Sequence, residues 1–323
     1  MRYLVTGAAG FIASRVITKL LEAGHSVVGV DNLNDSYDVR MKEYRLERLL
    51  PNTGFKFLKI DIAYRDQVAQ LDGEGTFNAA INLAARAGVR QAVENPWVYL
   101  ETNTMGTLNL LELCHRLQVP KFLLASTSSI YGSNAPIPTP ETASSDQPLQ
   151  PYAASKKGAE VLAYTYHYLY GIDISVVRYF TVYGPAGRPD MVMFRLAKWI
   201  TEGETVRLNG TGTQSRGFTY LDDIARGTIL ALEPVGYEII NLGGHEAITM
   251  NELICMMEEM IGKKAQIESY PFHRADMQAN LADVSKAQKL LGWIPEFNLQ
   301  RGVRNLVDWY LQERSWARKI ATP

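Results

Sequence analysis

The sequence predicts a doubly wound α/β fold: a parallel sheet covered by helices on both faces, with a smaller mixed α/β lobe at the C-terminal end. Three observations predict it. Short apolar runs alternate with helical stretches through about the first 180 residues, the pattern of βαβ units. A glycine-rich turn, Gly7-Ala-Ala-Gly10, joins the first strand to the first helix. An acidic residue, Asp31, closes the second strand.

The elements follow in order. Arg-Tyr-Leu-Val-Thr, from residue 2, reads as a strand, and a helix runs from the turn to Ala23. Ser-Val-Val-Gly-Val and Phe-Lys-Phe-Leu-Lys-Ile are the next strands, and Ala-Ala-Ile-Asn-Leu follows. A helix running toward Leu117 leads into the strand Lys-Phe-Leu-Leu-Ala. Residues 134–148, rich in Pro, Ser, Thr and Asn, read as a surface loop. Tyr152 to Tyr170 resumes as a helix stopped by Gly171, and Ile-Ser-Val-Val-Arg-Tyr-Phe is the strand after it. Beyond residue 180 the alternation weakens. There Thr249 and Glu252 form a capping box that opens a helix over 251–261, closed by Gly262. A shorter helix over 284–291 starts after Asp283 and ends at Gly292. The division expected is 1–180 for a dinucleotide-binding domain and 181–323 mainly for substrate, with later segments free to return to the first domain.

Composition narrows the partners. The chain has 323 residues, 46% of them hydrophobic, enough for one large core or a core plus a smaller lobe. Its 33 basic and 34 acidic residues form no long run of either sign, so no nucleic-acid or membrane surface is expected and small ligands are. Cys114 and Cys255 lie in apolar helical patterns and read as free core thiols. No metal site is expected. No apolar stretch reaches the ~18 residues of a membrane span, and residues 1–5 enter a strand directly, so a cytoplasmic protein is expected.

The turn Thr6-Gly7-Ala8-Ala9-Gly10-Phe11-Ile12-Ala13 carries the first chemistry. Glycines between strand and helix let the backbone approach a pyrophosphate, which the free N–H groups and dipole of the helix N-terminus stabilise. Ala13 replaces the usual third glycine at a position that governs helix-to-strand packing, where a methyl group is tolerable. The Asp31 carboxylate accepts from ribose hydroxyls and repels a 2′-phosphate, which favours NAD over NADP. Asn32, beside it, is placed with the cofactor-binding residues.

The second chemical motif is Tyr152-Ala-Ala-Ser-Lys156 at the start of a helix. Tyr152 and Lys156 share a face at i and i+4, whereas Lys157 points about a hundred degrees away. A tyrosine near its ordinary pKa of about 10 is a poor base at neutral pH, but an adjacent ammonium and a positive nicotinamide both favour its phenolate. Such a tyrosine takes a proton from a sugar hydroxyl as hydride leaves the same carbon.

With these motifs the chain resembles the extended short-chain dehydrogenase/reductase family, NAD-dependent enzymes on a Rossmann fold that include nucleotide-sugar epimerases. The resemblance covers nearly the whole chain. It rests on Gly7 and Gly10, Asp61-Ile62, Asn82-Leu83-Ala84-Ala85, Asn103 with Gly106-Thr107, the hydroxyl run Ser126-Thr127-Ser128-Ser129, Tyr152 with Lys156, and Ser215-Arg216-Gly-Phe-Thr-Tyr-Leu-Asp-Asp. It implies that Thr127 is the hydroxyl partner of Tyr152 on the reacting sugar oxygen. It implies that Asp61 and Ile62 contact adenine, that Leu83, Ala84, Ala85 and Ser126 line the cofactor cleft, and that Asn103 and Tyr179 flank the nicotinamide while Lys156 reaches its ribose. Arg216 and Asp276 are implied as nucleotide-sugar anchors, with a contribution from His273 or Arg274 left open. By the same analogy a homodimer is expected through the helices near 94–117 and 153–170.

The hydroxyl run discriminates among reactions. Dehydratases of this family place Asp and Glu where Ser128 and Ser129 stand, and decarboxylases place Glu at the position of Ser129. Without those acids a 4-keto sugar has little to do but take its hydride back. The segment Thr181-Val-Tyr-Gly-Pro-Ala-Gly-Arg188-Pro-Asp-Met resembles the branch that epimerises UDP-glucuronate at carbon 4. Arg188 can pair a substrate carboxylate through two parallel bonds, with Ser128, Ser129 and Thr181 on its remaining lone pairs. Alternatively, Ser128 and Ser129 only cap the strand end and Arg188 pairs with Asp190. The expected activity is interconversion of UDP-glucuronate and UDP-galacturonate through a 4-keto intermediate. A 4-epimerase of neutral UDP-hexoses is the alternative, with a UDP-glucuronate decarboxylase or a redox-silent NAD-binding scaffold behind it.

Overall fold

The computed structural model describes residues 1–244, 246–271 and 279–322. Its strands are β1 (Arg2–Thr6), β2 (Ser26–Asp31), β3 (Phe55–Lys59), β4 (Ala79–Asn82), β5 (Lys121–Thr127), β6 (Asp173–Tyr179), β7 (Thr181–Tyr183), β8 (Thr205–Asn209), β9 (Ser215–Tyr220), β10 (Tyr237–Leu242), β11 (Ala247–Thr249) and β12 (Gln266–Tyr270). Seven of them form one sheet in the order β10-β6-β5-β4-β1-β2-β3. Every pair in it is parallel. The doubly wound sheet expected from the alternation is therefore present, and its direction of winding reverses between β1 and β4. In open α/β sheets the crevice at such a reversal, outside the strands' carboxyl ends, holds ligands.

Helix positions follow from the same burial logic. The helix Phe11–Glu22 buries Ala13, Val16, Ile17 and Leu20, an i, i+3, i+4, i+7 stripe, against the sheet. Full burial of each larger member contributes roughly 1.5–3 kcal/mol. The helix Pro151–Tyr170 begins one residue before the expected start, with Gln150 accepting from the Ala153 N–H at 3.0 Å, and ends at a left-handed Gly171. The capping box of Thr249 and Glu252 is formed at the head of Met250–Ile261.

Beyond residue 180 two smaller sheets appear, β11-β9-β7 and β12-β8. Helices Val192–Glu202, Met250–Ile261 and Leu299–Gln312 close a second core around Phe194, Leu253, Val303 and Tyr310. Part of this half rejoins the first core: β10 pairs with β6, and Ile224, Ala225, Ala287 and Trp293 pack beneath the large sheet. In return, Met41 from the helix Arg40–Leu49 is buried in the second core. One expectation is corrected. Cys114 is buried, but Cys255 is exposed, because it lies on the solvent side of its helix between the buried Ile254 and Met257. The helix toward Leu117 is present and contains a π-helical stretch, Leu100–Met105, ahead of the α-helix Gly106–Arg116.

Candidate active site

The carboxyl ends of β1, β2, β4, β5 and β6 open into one cavity of about 570 Å³ that reaches across to β7, β8 and β9. Gly7 has φ +70° and a Cβ there would lie 2.9 Å from backbone atoms of Ala84, so the turn after β1 packs against the segment after β4 only as glycine. Gly10 caps the helix Phe11–Glu22 with no side-chain cap and no acidic residue in the first turn. Its leading N–H groups thus remain available to an anion. Asp31 is buried at the end of β2, accepting from the Ala9 N–H at 3.2 Å and the Leu33 N–H at 2.8 Å. Asn32 donates to Asp61 at 2.7 Å, which joins the ends of β2 and β3. Phe11, Ile12, Ile62, Leu83, Ala84 and Ala85 complete the apolar lining of this half. A glycine cradle, an uncapped helix end and a buried acid beyond it fit the pyrophosphate and ribose of NAD.

Tyr152 and Lys156 project from the helix Pro151–Tyr170 toward the end of β5. Tyr152 lies beside the Thr127 hydroxyl, which accepts from the Ser129 N–H at 3.2 Å. Burial raises the Tyr152 phenol above its ordinary value, while the Thr127 hydroxyl and the Arg188 charge pull it back. Arg188 is thus a cation that acts on the phenol. Lys156 is 3% exposed and donates to the Ala125 carbonyl at 2.8 Å. Burial pushes its ammonium down to about 8, against the opposing pull of Glu160. Lys157 points away, to Ser145 at 2.6 Å.

The hydroxyl run divides its work. Ser126 donates to Glu160 at 2.6 Å, and Glu160 is held by Arg178 through bonds of 3.0 and 2.8 Å in a pair only 2% exposed on each side. Ser128 accepts from Asn280 at 3.1 Å. Ser128, Ser129, Thr181, Arg188 and Arg216 all line the cavity. Arg188 pairs with Asp190 at 3.0 and 2.5 Å and donates to the Ala87 carbonyl at 3.2 Å, the alternative weighed from the sequence. Burial opposes its charge, but Asp190 outweighs it and keeps the guanidinium protonated.

Two expected cofactor residues are engaged elsewhere. The Asn103 amide bonds the backbone of Arg86 at 2.9 and 3.0 Å and Ser155 at 2.9 Å, behind the cavity wall. Tyr179 lines the cavity but spends its hydroxyl on Thr228 at 2.8 Å. Asp276, with His273 and Arg274, lies outside the described residues. The sequence reading missed Lys42, Arg45, Glu160 and Asn280. Glu160 was legible, since it follows Lys156 by i+4 on the same helix face. Lys42 and Arg45 were legible as basic residues set among the buried Met41, Leu46 and Leu49. Asn280 had no local signal.

The family model for NAD-dependent epimerases and dehydratases matches residues 3–243. The chain belongs to that family. It is 56% identical over 308 residues to a UDP-glucuronate 4-epimerase of Thermodesulfobacterium geofontis, covering 95% of each chain. Among solved structures it resembles the UDP-glucuronic acid 4-epimerase of Bacillus cereus in complex with UDP-glucuronic acid and NAD, at 36% identity and a TM-score of 0.88, covering 97% of this chain and 100% of that one. It also resembles the UDP-glucose 4-epimerase of Thermotoga maritima with UDP-glucose, at 31% identity and a TM-score of 0.90, covering 97% of this chain and 100% of that one. The family member therefore has an NAD-type cleft, and both epimerase substrates occur among its structural relatives.

Proposed function

We propose that this protein is an NAD-dependent UDP-glucuronate 4-epimerase that interconverts UDP-glucuronate and UDP-galacturonate. The observation that carries the reading is one cavity in which Tyr152 sits near Thr127, within the field of Arg188, and is lined also by Ser128, Ser129 and Thr181. Similarity to the Thermodesulfobacterium geofontis and Bacillus cereus enzymes supports the uronate over the neutral hexose.

In this reading the cofactor half would hold NAD, which would supply reversible hydride transfer at sugar carbon 4. The chain's residues do the rest. Gly7, Gly10, Phe11, Ile12, Asp31, Asn32, Asp61, Ile62, Leu83, Ala84, Ala85 and Ser126 form the cofactor half, and Asn103 and Tyr179 brace its nicotinamide end through their own hydrogen bonds. Tyr152 accepts the 4-hydroxyl proton and gives it back, Thr127 holds the same oxygen, and Lys156 favours the phenolate once ribose and phenol are brought together. Arg188, Ser128, Ser129 and Thr181 bind the carboxylate, while Arg216 and Asp276 anchor the nucleotide. The residues from 181 onward thus supply most of the substrate lobe.

A homodimer belongs to the proposal. Val93, Trp97, Leu100 and Met105 near one helix and Tyr168 and Leu169 on the next are exposed, an apolar face larger than scattered surface residues need. Trp97→Glu should then shift the protein to monomer in analytical ultracentrifugation, and an unchanged sedimentation coefficient counts against the dimer. Action in the cytoplasm is part of the reading too, supported by two thiols left free rather than paired. Among the described residues no helix is long and apolar enough to cross a membrane.

The deciding experiment is product analysis with UDP-glucuronate and, in parallel, UDP-glucose, with no NAD added. UDP-galacturonate without UDP-xylose is the expected outcome. Turnover of UDP-glucose alone would replace this reading with the neutral-hexose epimerase.

A further inference from the structure

Arg45 lies on the inner face of the helix Arg40–Leu49 and is 4% exposed. Its Nε and Nη2 donate to the Ala186 carbonyl at 3.0 and 2.8 Å, and Nη2 also donates to the Gly187 carbonyl at 3.3 Å. Nη1 donates to the Ala9 carbonyl at 3.1 Å and to the Tyr37 hydroxyl at 2.8 Å. These bonds occupy all five N–H groups of a guanidinium. The acceptors belong to the glycine-rich turn, to the segment after β2 and to the two residues immediately before Arg188.

That placement is specific. Ala186 has φ +54°, a left-handed conformation that a residue with a side chain rarely adopts unaided. The Arg45 fork holds its carbonyl in that turn. Tyr37 completes the support: its ring lies 5.6 Å from the Arg45 guanidinium carbon and 5.7 Å from that of Arg188. A buried arginine that only needed partners could take them from its own helix end, whereas these tie the cofactor turn to the loop that carries the substrate arginine.

We propose that Arg45, braced by Tyr37, is a positioning residue that fixes Arg188 in the substrate pocket and so decides whether the 4-keto uronate is reduced or loses carbon dioxide. The inference rests on reading Arg188 as the carboxylate's partner. Oxidation at carbon 4 makes a β-keto acid. If the carboxylate is released from its hydrogen bonds, the C5–C6 bond breaks and carbon dioxide leaves. The electron pair becomes the C4–C5 enolate, and a proton adds at carbon 5 to give a UDP-4-ketopentose. No oxidant beyond bound NAD is needed. A fixed Arg188 keeps the carboxylate charged, paired and unable to take that route.

The test uses holoenzyme and UDP-glucuronate labelled with ¹³C at carbon 6, and reads the ratio of labelled carbon dioxide plus bicarbonate to labelled UDP-galacturonate by NMR. Taken from initial rates, before UDP-galacturonate re-enters the site, this ratio is set per molecule of intermediate, so partial unfolding or lost NAD does not move it. Lysine at position 45 keeps the charge but cannot reproduce a planar five-donor fork. Arg45→Lys should raise the ratio about tenfold, Tyr37→Phe should raise it less, and Arg188→Ala should set the upper limit. If Arg188→Ala raises the ratio while Arg45→Lys and Tyr37→Phe keep the wild-type value, the positioning role is overturned and the reading of Arg188 stands. If Arg188→Ala also leaves it unchanged, the reading of Arg188 fails and this inference falls with it. Should Arg45→Lys not fold, Tyr37→Phe, which removes one hydroxyl, decides the matter alone: an unchanged ratio overturns the proposal.

Discussion

Replacing Lys156 with methionine should make the protein more stable at neutral pH while abolishing turnover. The lysine is 3% exposed and its ammonium is pushed from 10.5 down to about 8, chiefly by burial. At ~1.4 kcal/mol per pH unit, keeping it charged below pH 8 costs about 3 kcal/mol. Methionine fills much the same volume without a charge, but it gives up the bond to the Ala125 carbonyl, worth about 1 kcal/mol. The net gain is about 2 kcal/mol, or ~3 °C in Tm for a chain of this length. The sign with pH is fixed by the direction of the shift. The folded pKa lies below the unfolded one, so between about 8 and 10.5 the unfolded chain holds the extra proton and the wild type gains stability as pH rises. The advantage of Lys156→Met should therefore be full at pH 7 and nearly gone at pH 10. The assay is thermal melting of both proteins freed of nucleotide, since bound NAD adds its own stabilisation. A Tm difference that is the same at both pH values, or a variant less stable at pH 7, would refute the reasoning.

Other outcomes follow from the same geometry. Tyr152→Phe should retain NAD, read as co-purifying nucleotide, yet lose turnover by about 10²–10⁴-fold, because only the proton acceptor is removed. Equal loss of both would instead assign Tyr152 to cofactor retention. Glu160→Gln leaves Arg178 buried without its counter-charge and should destabilise by about 3–5 kcal/mol in urea unfolding, whereas the double variant Glu160→Met, Arg178→Met should recover most of that. Gly7→Ala forces a methyl group against the Ala84 backbone at positive φ and should weaken NAD binding in calorimetry by at least about tenfold; unchanged affinity would show that the turn relaxes freely.

How far the sequence carried the fold depends on the range of the interactions involved. The large sheet was legible because each strand is a short apolar run and each helix a 3.6-residue stripe, signals contained within single elements. Glycines and caps marked most ends, as at Gly171, Gly262 and the Thr249 box. The exposure of Cys255 was not legible, because Leu-Ile-Cys-Met-Met is apolar throughout and burial is decided by which side faces the helix Leu299–Gln312. A return of later segments to the first domain was allowed for, but not which segment returns, since the place of β10 depends on a partner, β6, about sixty residues away. In the site, Tyr152, Lys156 and the hydroxyl run were readable from local spacing. Asn280 on Ser128 and Arg45 on the Ala186 carbonyl join residues more than a hundred positions apart, and nothing local announces such pairs.

The pairing of Arg188 limits what it can offer a carboxylate. The sequence suggested a guanidinium that offers a carboxylate two parallel bonds, and its side edge, Nε with Nη2, is the natural donor pair. In the structure that edge is taken by Asp190, and the remaining Nη2 hydrogen goes to the Ala87 carbonyl. What is left for a substrate oxygen is Nη1. A uronate would then receive one charged donor from Arg188 and must find its other bonds at Ser128, Ser129 or Thr181, which makes the hydroxyls necessary rather than supplementary. Asp190 also keeps the arginine neutralised when no carboxylate is present, so Arg188 does not have to be buried as an unpaired charge. A second consequence concerns Tyr152, whose phenol is pulled down by the same guanidinium. A carboxylate arriving beside Arg188 weakens that pull and raises the phenol, whereas a neutral hexose leaves it unchanged. The uronate must therefore depend more than the hexose on Lys156 and Thr127 to keep the base competent, and the two sugars should separate in the pH dependence of turnover, with the uronate's rise lying at the higher pH.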